Sequence, residues 1–260
     1  MNNEMNGKNA PNSPDWKEKM HNQCIKEAIK KTKENITEQD LLNVYVSYLE
    51  IMDELINSYF ERASEHFIIY YPEASIKASM LDDFLKIKNL SRKEISKLFS
   101  VSEASMGLDL KENDLKILGQ SIETLKSLIS QKKAFEQRTK ELAMQIAKNT
   151  SELAGELIAA KLLAAAGSLK RLMLMPSSTI QVLGAEKALF RHLRTKAKPP
   201  KHGIIFNTSF VSSAPINHRG KIARALASKI VISAKVDYYK GKSISAELIK
   251  DLNKKISGLK

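Results

Sequence analysis

Two apolar stripes, each running for roughly 30 residues at the helical repeat, commit this chain to a fold built on a long pair of helices. In the first, Leu41, Tyr45, Leu49, Met52, Ile56, Tyr59 or Phe60, Ala63 and Phe67 follow at steps of mostly three and four. Thr37 with Asp40 three positions on reads as its N-cap, and Pro72 stops it at about Tyr70. The second runs through Leu115, Leu118, Ile122, Leu125, Ile129, Phe135, Leu142 and Ile146, and its register falters at Lys132 and Thr139. At ~1.5 Å per residue each helix is on the order of 45 Å long. Two such helices bury narrow stripes most simply against one another, as an antiparallel coiled coil. The expected fold class is all-α.

The connection, about residues 73–111, would cap the far end of the pair. It carries helical patterns over Ile76–Leu90 and Ser91–Phe99, the second opened by a Ser91/Glu94 capping box. Met80, Leu81, Phe84, Leu85, Leu98 and Phe99 exceed what a turn needs, which points to a packed tip or a self-association surface. A homodimer is the expectation. Residues 1–36 read as a polar tail: residues 1–14 lack hydrophobicity, and Asp15–Lys33 suit a short amphipathic helix carrying Trp16, Met20, Cys24, Ala28 and Ile29. Cys24 is the only cysteine, so neither an intramolecular disulfide nor a thiolate zinc site is available. It reads as an inert thiol in a reducing compartment. No apolar run is long enough to span a bilayer, and the N-terminus lacks the apolar core of a secretory signal. A soluble intracellular protein is expected, with no membrane partner.

From Ser151 the texture changes. Leu153, Ala154, Leu157, Ile158, Leu162, Leu163 and Ala164–Ala166 make a helix apolar nearly all round, ended by Gly167. Such a helix is buried, and it marks a compact C-terminal domain starting near residue 150. The charge follows the same division. Residues 176–260 hold 17 Lys and Arg against 4 Asp and Glu, which is the whole of the net +13, while residues 1–175 hold 25 of each. A field of one sign on one body captures a polyanion at long range.

Within that basic region, Gly184–His202 is the most informative stretch. If Ala185–Arg194 is helical, Lys187, Arg191 and Arg194 fall within a ~60° arc, with Leu189, Phe190 and Leu193 on the other side. A strip of three aligned cations suits the phosphates of a nucleic acid. Gly184 would let the chain approach closely at the helix N-terminus, where free N–H groups favour an anion. Lys196, Lys198 and Lys201 surround Pro199-Pro200 in a stiff basic loop that runs on to His202. A second basic strip, Arg219, Lys221, Arg224 and Lys235, lies downstream, with Ile222, Leu226 and Ile230 roughly opposite. Between the strips, Gly203–Val211 reads as an extended loop crossing the core.

Signs of catalysis are missing from this stretch. His192, His202 and His218 sit among lysines with no carboxylate placed to orient them, so a metal-independent ribonuclease is a rival without its second group. Ser177-Ser178 suits a helix cap better than a nucleophile. Asp237 is the only carboxylate between Glu186 and Glu247, too few for a metal cluster. Neither a P-loop, a GxGxxG nor an HExxH motif occurs. No catalytic residue, metal or cofactor is expected.

At these residues the sequence resembles a known family. Glu152–Ser168 (ELAGELIAAKLLAAAGS), Pro176–Arg191 (PSSTIQVLGAEKALFR) and Lys201–Ser209 (KHGIIFNTS), with Arg224–Asp237, resemble the Nop domain. That domain belongs to the box C/D ribonucleoprotein scaffold of archaea and to its nucleolar and spliceosomal relatives. The likeness extends back through Ser105–Gly107 (SMG), the second long helix and Tyr71–Glu73 (YPE), and so covers about residues 38–240. It implies a coiled coil at residues 37–149 that mediates self-association, followed by a Nop domain at residues 150–260. That domain would recognise a kink-turn RNA together with the ribosomal-protein-like small protein bound to it. The residues implied at the RNA are Gly184, Ala185, Glu186, Lys187 and Arg191, with Arg194, Lys196, Lys198, Lys201 and His202 beside it. Residues 1–36 are too few to form the domain with which methylation scaffolds dock fibrillarin, which counts against fibrillarin as a partner. The place implied is the cytoplasm of an archaeal cell, or the nucleus and nucleolus of a eukaryote. Two alternatives remain: a basic coiled-coil protein that coats nucleic acid nonspecifically, and a truncated paralogue that competes with a full-length scaffold.

Overall fold

The computed structural model describes residues 14–87 and 91–258, all of whose regular structure is helical. The chain divides into two compact units, residues 1–41 and 42–260. In the first, helix α1 (Pro14–Asn35) matches the expected short helix and extends it by a residue or two at each end; Cys24 lies exposed on it. Residues 1–13, expected to be a polar tail, fall outside the described residues. Helix α2 (Glu38–Tyr70) begins at the expected cap: the backbone N–H and the hydroxyl of Thr37 both donate to Asp40 Oδ2, at 2.8 and 3.0 Å.

In the second unit α2 pairs with α6 (Glu112–Ile146), and the pairing is antiparallel. Phe135 lies 5.5 and 5.0 Å from the rings of Tyr45 and Tyr48, Lys132 Nζ stands 2.6 Å from Asp53 Oδ1, and Phe67 shares a core cluster with Leu118. The buried stripe on α2 departs from expectation at its start. Leu41 is 40% exposed and Tyr45 half-buried, while Leu42 and Val46 are buried. The reason is a change of partner: Leu42 and Val46 pack into the C-terminal core, whereas the stripe from Ile56 onward packs against α6. The register of α6 does not falter either. Thr139 is fully buried with its hydroxyl donating to Phe135 O at 2.7 Å, and Lys132 answers Asp53 across the pair. Two polar side chains keep their places in the seam because each has a partner there.

The tip is packed. The helix expected over Ile76–Leu90 is instead α3 (Pro72–Lys77) and α4 (Leu81–Phe84), parted by an extended Met80, while Lys88–Leu90 lie outside the described residues. Helix α5 (Arg92–Phe99) has Ser91 at its N-cap as expected, but without the side-chain bond of the expected capping box. Tyr71, Phe84, Ile87 and Ile95 are buried in one cluster with Leu118, Ile122 and Leu125.

A clasp closes the tip. The Glu73 carboxylate accepts from Ser105 Oγ (2.6 Å) and from the Met106 N–H (2.8 Å), and the Gly107 N–H donates to Ser105 Oγ. Arg92 donates to the carbonyls of Tyr70, Gly107 and Leu108. A Cβ on Gly107 would stand 2.2 Å from Tyr70 O, so only glycine fits. The bonds from Ser105 and Met106 hold the Glu73 carboxyl below the usual carboxylate range. Its contribution is therefore complete above the unfolded carboxyl pKa of about 4.3 and is lost as pH falls through the lower folded value. Thermal melts across this acid range are expected to fall more steeply for the parent than for Glu73→Gln. Parallel curves would remove Glu73 from the acid transition.

The C-terminal core surrounds α13 (Ile216–Tyr238), whose Ile222, Ala223, Leu226, Ala227, Ile230 and Ala234 are buried. The apolar helix expected after Ser151 is two helices, α7 (Lys148–Ala154) and α8 (Glu156–Ala166), parted at Gly155 with φ +94°. Gly167 ends α8 in the left-handed region, as expected. Short helices α9 (Leu169–Leu174) and α10 (Ser177–Val182) pack along α13, as does α14 (Ser245–Ser257). Asp237 joins the ends: Oδ1 accepts from Asn149 N and Nδ2, and Oδ2 accepts from Thr150 N and Oγ1, all within 2.8–2.9 Å. One carboxylate thus satisfies the first turn of α7.

Candidate nucleic-acid interface

Helix α11 (Glu186–Thr195) forms where the amphipathic pattern places it, and it holds no buried residue. Lys187, Arg191 and Arg194 all point to solvent, as the arc predicts. The opposite side differs. Ala188, Leu189 and His192 are half-buried, but Phe190 is 57% exposed and Leu193 67% exposed. A short helix resting on the surface covers only about a third of its circumference. Phe190 and Leu193 fall on the open flank, next to the cations.

Both ends of α11 are pinned. At the start, Gly184 has φ +83°, and a Cβ there would meet Ile204 Cγ1 at 2.5 Å. Its N–H donates to Glu186 Oε1 at 2.7 Å. The close approach expected of Gly184 is therefore internal, to Ile204. Glu186 thus takes an N–H of the turn that leads into the helix, one residue before its N-cap Ala185. The Ala185 N–H is likewise taken, by Val182 O at 2.9 Å. At the far end Lys196 adopts φ +55°, and His192 Nδ1 donates to Ala197 O.

The following loop is extended as expected, with Lys196, Lys198 and Lys201 exposed. It is tied down by Gln181 Nε2 donating to Lys201 O (2.7 Å) and by Gly203 N to Gln181 O (2.9 Å). His202 is stacked on Phe206 at 4.6 Å, with Arg219 on the same ring at 5.3 Å. Burial first, and then the Arg219 charge, lower the His202 pKa. The stacked imidazole packs the loop against Phe206, which itself packs on the core. The segment expected to be an extended loop, Gly203–Val211, coils instead into a 3-10 turn (Ile204–Asn207) and helix α12 (Ser209–Ser212). Burial of Ile205, Thr208 and Val211 overrides the β propensity of the sequence.

The second strip survives in part. Lys221, Arg224 and Lys235 are exposed on one face of α13, opposite the buried Ile222, Leu226 and Ile230. Arg219 does not belong with them. Its guanidinium donates to the carbonyls of Ala214 (2.9 Å) and Ser212 (3.3 Å) and lies over Phe206, so it secures the turn before α13. The two strips meet, because the Lys201 stem lies over Gly220, where a Cβ would stand 3.5 Å from Lys201 Cδ. Cations of the coiled coil pair with acids, as in Arg62–Glu65, Lys126–Glu123 and Arg138–Glu141. Among the described residues beyond 150, the ion pairs are Lys229–Asp251 and Lys255–Asp251, and no cation of either strip is in one. The arrangement offers uncompensated positive charge on a rigid support, with no acid–base constellation at its centre.

Comparison with known proteins gives this surface a lineage. The family model for Nop, described as snoRNA binding domain, fibrillarin, matches residues 48–258. An uncharacterised NOP5 family protein of Methanocaldococcus jannaschii is 35% identical over 96% of this chain and 64% of its own. Nucleolar protein 56 of Schizosaccharomyces pombe is 31% identical over 80% of this chain and 46% of its own; nucleolar protein 58 of the same yeast is 36% identical over 74% and 41%. The chain thus spans less than two thirds of each of these relatives. A crystal structure of a fibrillarin/Nop5p complex aligns with a TM-score of 0.56 at 26% identity, over 96% of this chain and 81% of that one. That neighbour corrects one expectation. The shortness of residues 1–36 counted against fibrillarin, yet most of a chain from a fibrillarin complex is covered here, so length is no ground for setting fibrillarin aside. With a family match over 48–258 and relatives of this identity, the chain belongs to the Nop family.

Proposed function

We propose that this chain is a non-enzymatic RNA-binding scaffold. Its C-terminal basic surface would recognise a kink-turn RNA together with the ribosomal-protein-like small protein bound to it, in a box C/D or spliceosomal type of assembly. The observation that carries this reading is the run of unpaired cations along α11 and the loop after it, Lys187, Arg191, Arg194, Lys196, Lys198 and Lys201. Exposed Phe190 and Leu193 beside them give the same surface an apolar flank suited to a protein as well as to RNA. Gly184, Ala185 and Glu186, in the turn that leads into α11, would lie at the RNA with them. The coiled coil would supply self-association, through a tip that leaves Ile76, Met80 and Met106 exposed.

A gel-shift titration tests the reading, using a kink-turn stem-loop with and without a kink-turn-binding small protein, beside a scrambled stem. Binding that requires the small protein supports composite recognition; equal binding to all three supports the nonspecific alternative. In the same assay Lys187→Ala with Arg191→Ala is expected to cost ~1–3 kcal/mol, and each lost phosphate contact to reduce the salt slope by about 0.7–0.9. An unchanged affinity and slope would take these residues out of the interface. Adding fibrillarin to the assembled complex and looking for a further mobility shift settles its place among the partners.

A further inference from the structure

We infer that the C-terminal end of α13 is a second nucleic-acid contact, a tyrosine–lysine cluster that holds the stem of the same RNA at a distance from α11. The inference rests on the RNA-binding reading and extends it from the second basic strip to Tyr239, Lys240 and Lys242 beyond it. Tyr239 is 73% exposed immediately past α13, and its ring is braced edge-on by Tyr238 at 5.2 Å and 87°. Lys240 follows with φ +51°, a conformation that favours glycine, and the Gly241 N–H closes the turn on Val236 O at 2.9 Å. That turn holds an exposed lysine where glycine would fit with less strain. Lys235 and Lys242 are exposed on either side, and Lys148 and Lys240 both line a cleft of about 280 Å³.

The positive charge of this cluster exceeds that of the one carboxylate lining the cleft with it, Asp237, which is held by hydrogen bonds from α7. Among the described residues none of Lys148, Lys235, Lys240 and Lys242 is in an ion pair. The helix dipole accounts for a cation in the last turn, such as Lys235, but not for Lys242 or for an exposed tyrosine beyond the helix end. A polyanion suits the pattern. At 100° per residue, Lys221, Arg224, Lys235 and, one residue past the helix, Tyr239 share a ~60° arc. Lys221 to Tyr239 covers ~27 Å at ~1.5 Å per residue, the reach of about eight steps of duplex at ~3.4 Å each. The Lys201 stem on Gly220 joins the α11 loop to the start of that face. Lysines along it would meet phosphates. The Tyr239 hydroxyl would donate to a phosphate or ribose oxygen, contacts that position a duplex without reading its sequence.

The test is a titration of the full chain onto two kink-turn stem-loops, one with an outer stem of about 5 base pairs and one of about 15, each carrying the kink-turn-binding small protein. The variant combines Tyr239→Ala, Lys240→Ala and Lys242→Ala. Affinity is expected to fall about tenfold on the long stem and less than about twofold on the short one, with the long-stem salt slope reduced by roughly 1.4–1.8. A companion with Lys240→Arg and Lys242→Arg, and Tyr239 kept, is expected to bind the long stem like the parent. Parent-like binding of the alanine variant to the long stem would overturn the inference. So would an equal loss on both stems, which would mean a disturbance of α13 felt everywhere. Lys187→Ala with Arg191→Ala, run alongside, separates the two readings: it is expected to weaken both stems. If it weakens neither while the tyrosine–lysine variant still discriminates stem length, the α11 reading fails and this one stands.

Discussion

Asp237→Ala is expected to lower stability by roughly 3–5 kcal/mol, the largest effect of any single side chain outside the apolar core. The carboxylate accepts from four donors at 2.8–2.9 Å, and the residues that supply them, Asn149 and Thr150, are buried. Removing it leaves two backbone N–H groups and an amide facing a space that alanine does not fill, while the Thr150 hydroxyl keeps Ser233 Oγ at 3.1 Å. Each unmet buried donor costs about 1–3 kcal/mol, partly recovered by water entering from the cleft beside Lys240. Asn149 would lose its hold as well, and its side-chain oxygen accepts from the Ile244 N–H at 2.8 Å ahead of α14. For a domain of this size the melting temperature should fall by roughly 10 °C. Asp237→Asn should recover little, since its NH2 would face donors where Oδ2 now accepts. Thermal denaturation followed by circular dichroism checks both. A change under about 1 kcal/mol in the alanine variant would mean that water replaces the carboxylate.

Gly203→Ala should be nearly as damaging, by about 3 kcal/mol, and should also carry a loss of RNA affinity. A Cβ there would lie 1.9 Å from Leu183 O, 2.7 Å from Leu183 C and 2.9 Å from Val182 C. All three are backbone atoms and cannot rotate away. The segments must separate, breaking Gly203 N to Gln181 O and Ile204 N to Leu183 O. Ile204 would then leave Gly184, whose turn aims α11. Gly220→Ala is the control, because only the flexible Lys201 stem lies near its added Cβ, at 3.5 Å. Melting and gel shift on the same preparations give the comparison. A Gly203 variant that melts and binds like the parent would show that the two segments move apart at no cost.

Long-range periodicity made the coiled coil legible, because a 30-residue stripe is hard to bury in any other way. Amphipathic spacing likewise revealed α11 and the buried side of α13. The failures share a cause. Leu42 replaces Leu41 in the core because α2 changes partner partway along, which no local repeat records. Glu73 and Ser105 are 32 residues apart, so the two short motifs YPE and SMG could be noticed singly while the clasp they form could not. Arg219 looked like its neighbours until Ala214 and Phe206 were seen around it. Of the surface, charge was readable from sequence; which cations are engaged internally was not.

Helix α11 rests on the molecule at a turn and a loop and conceals no side chain of its own. Folding therefore exerts almost no selection on Lys187, Phe190, Arg191, Leu193 and Arg194. The contacts that hold the fold lie elsewhere, at the clasp of Glu73 and at the Asp237 junction. The solvent-facing cations of α11 can thus be exchanged at little cost to stability, so long as the turn at Gly184 and Gly203 that carries the helix is kept.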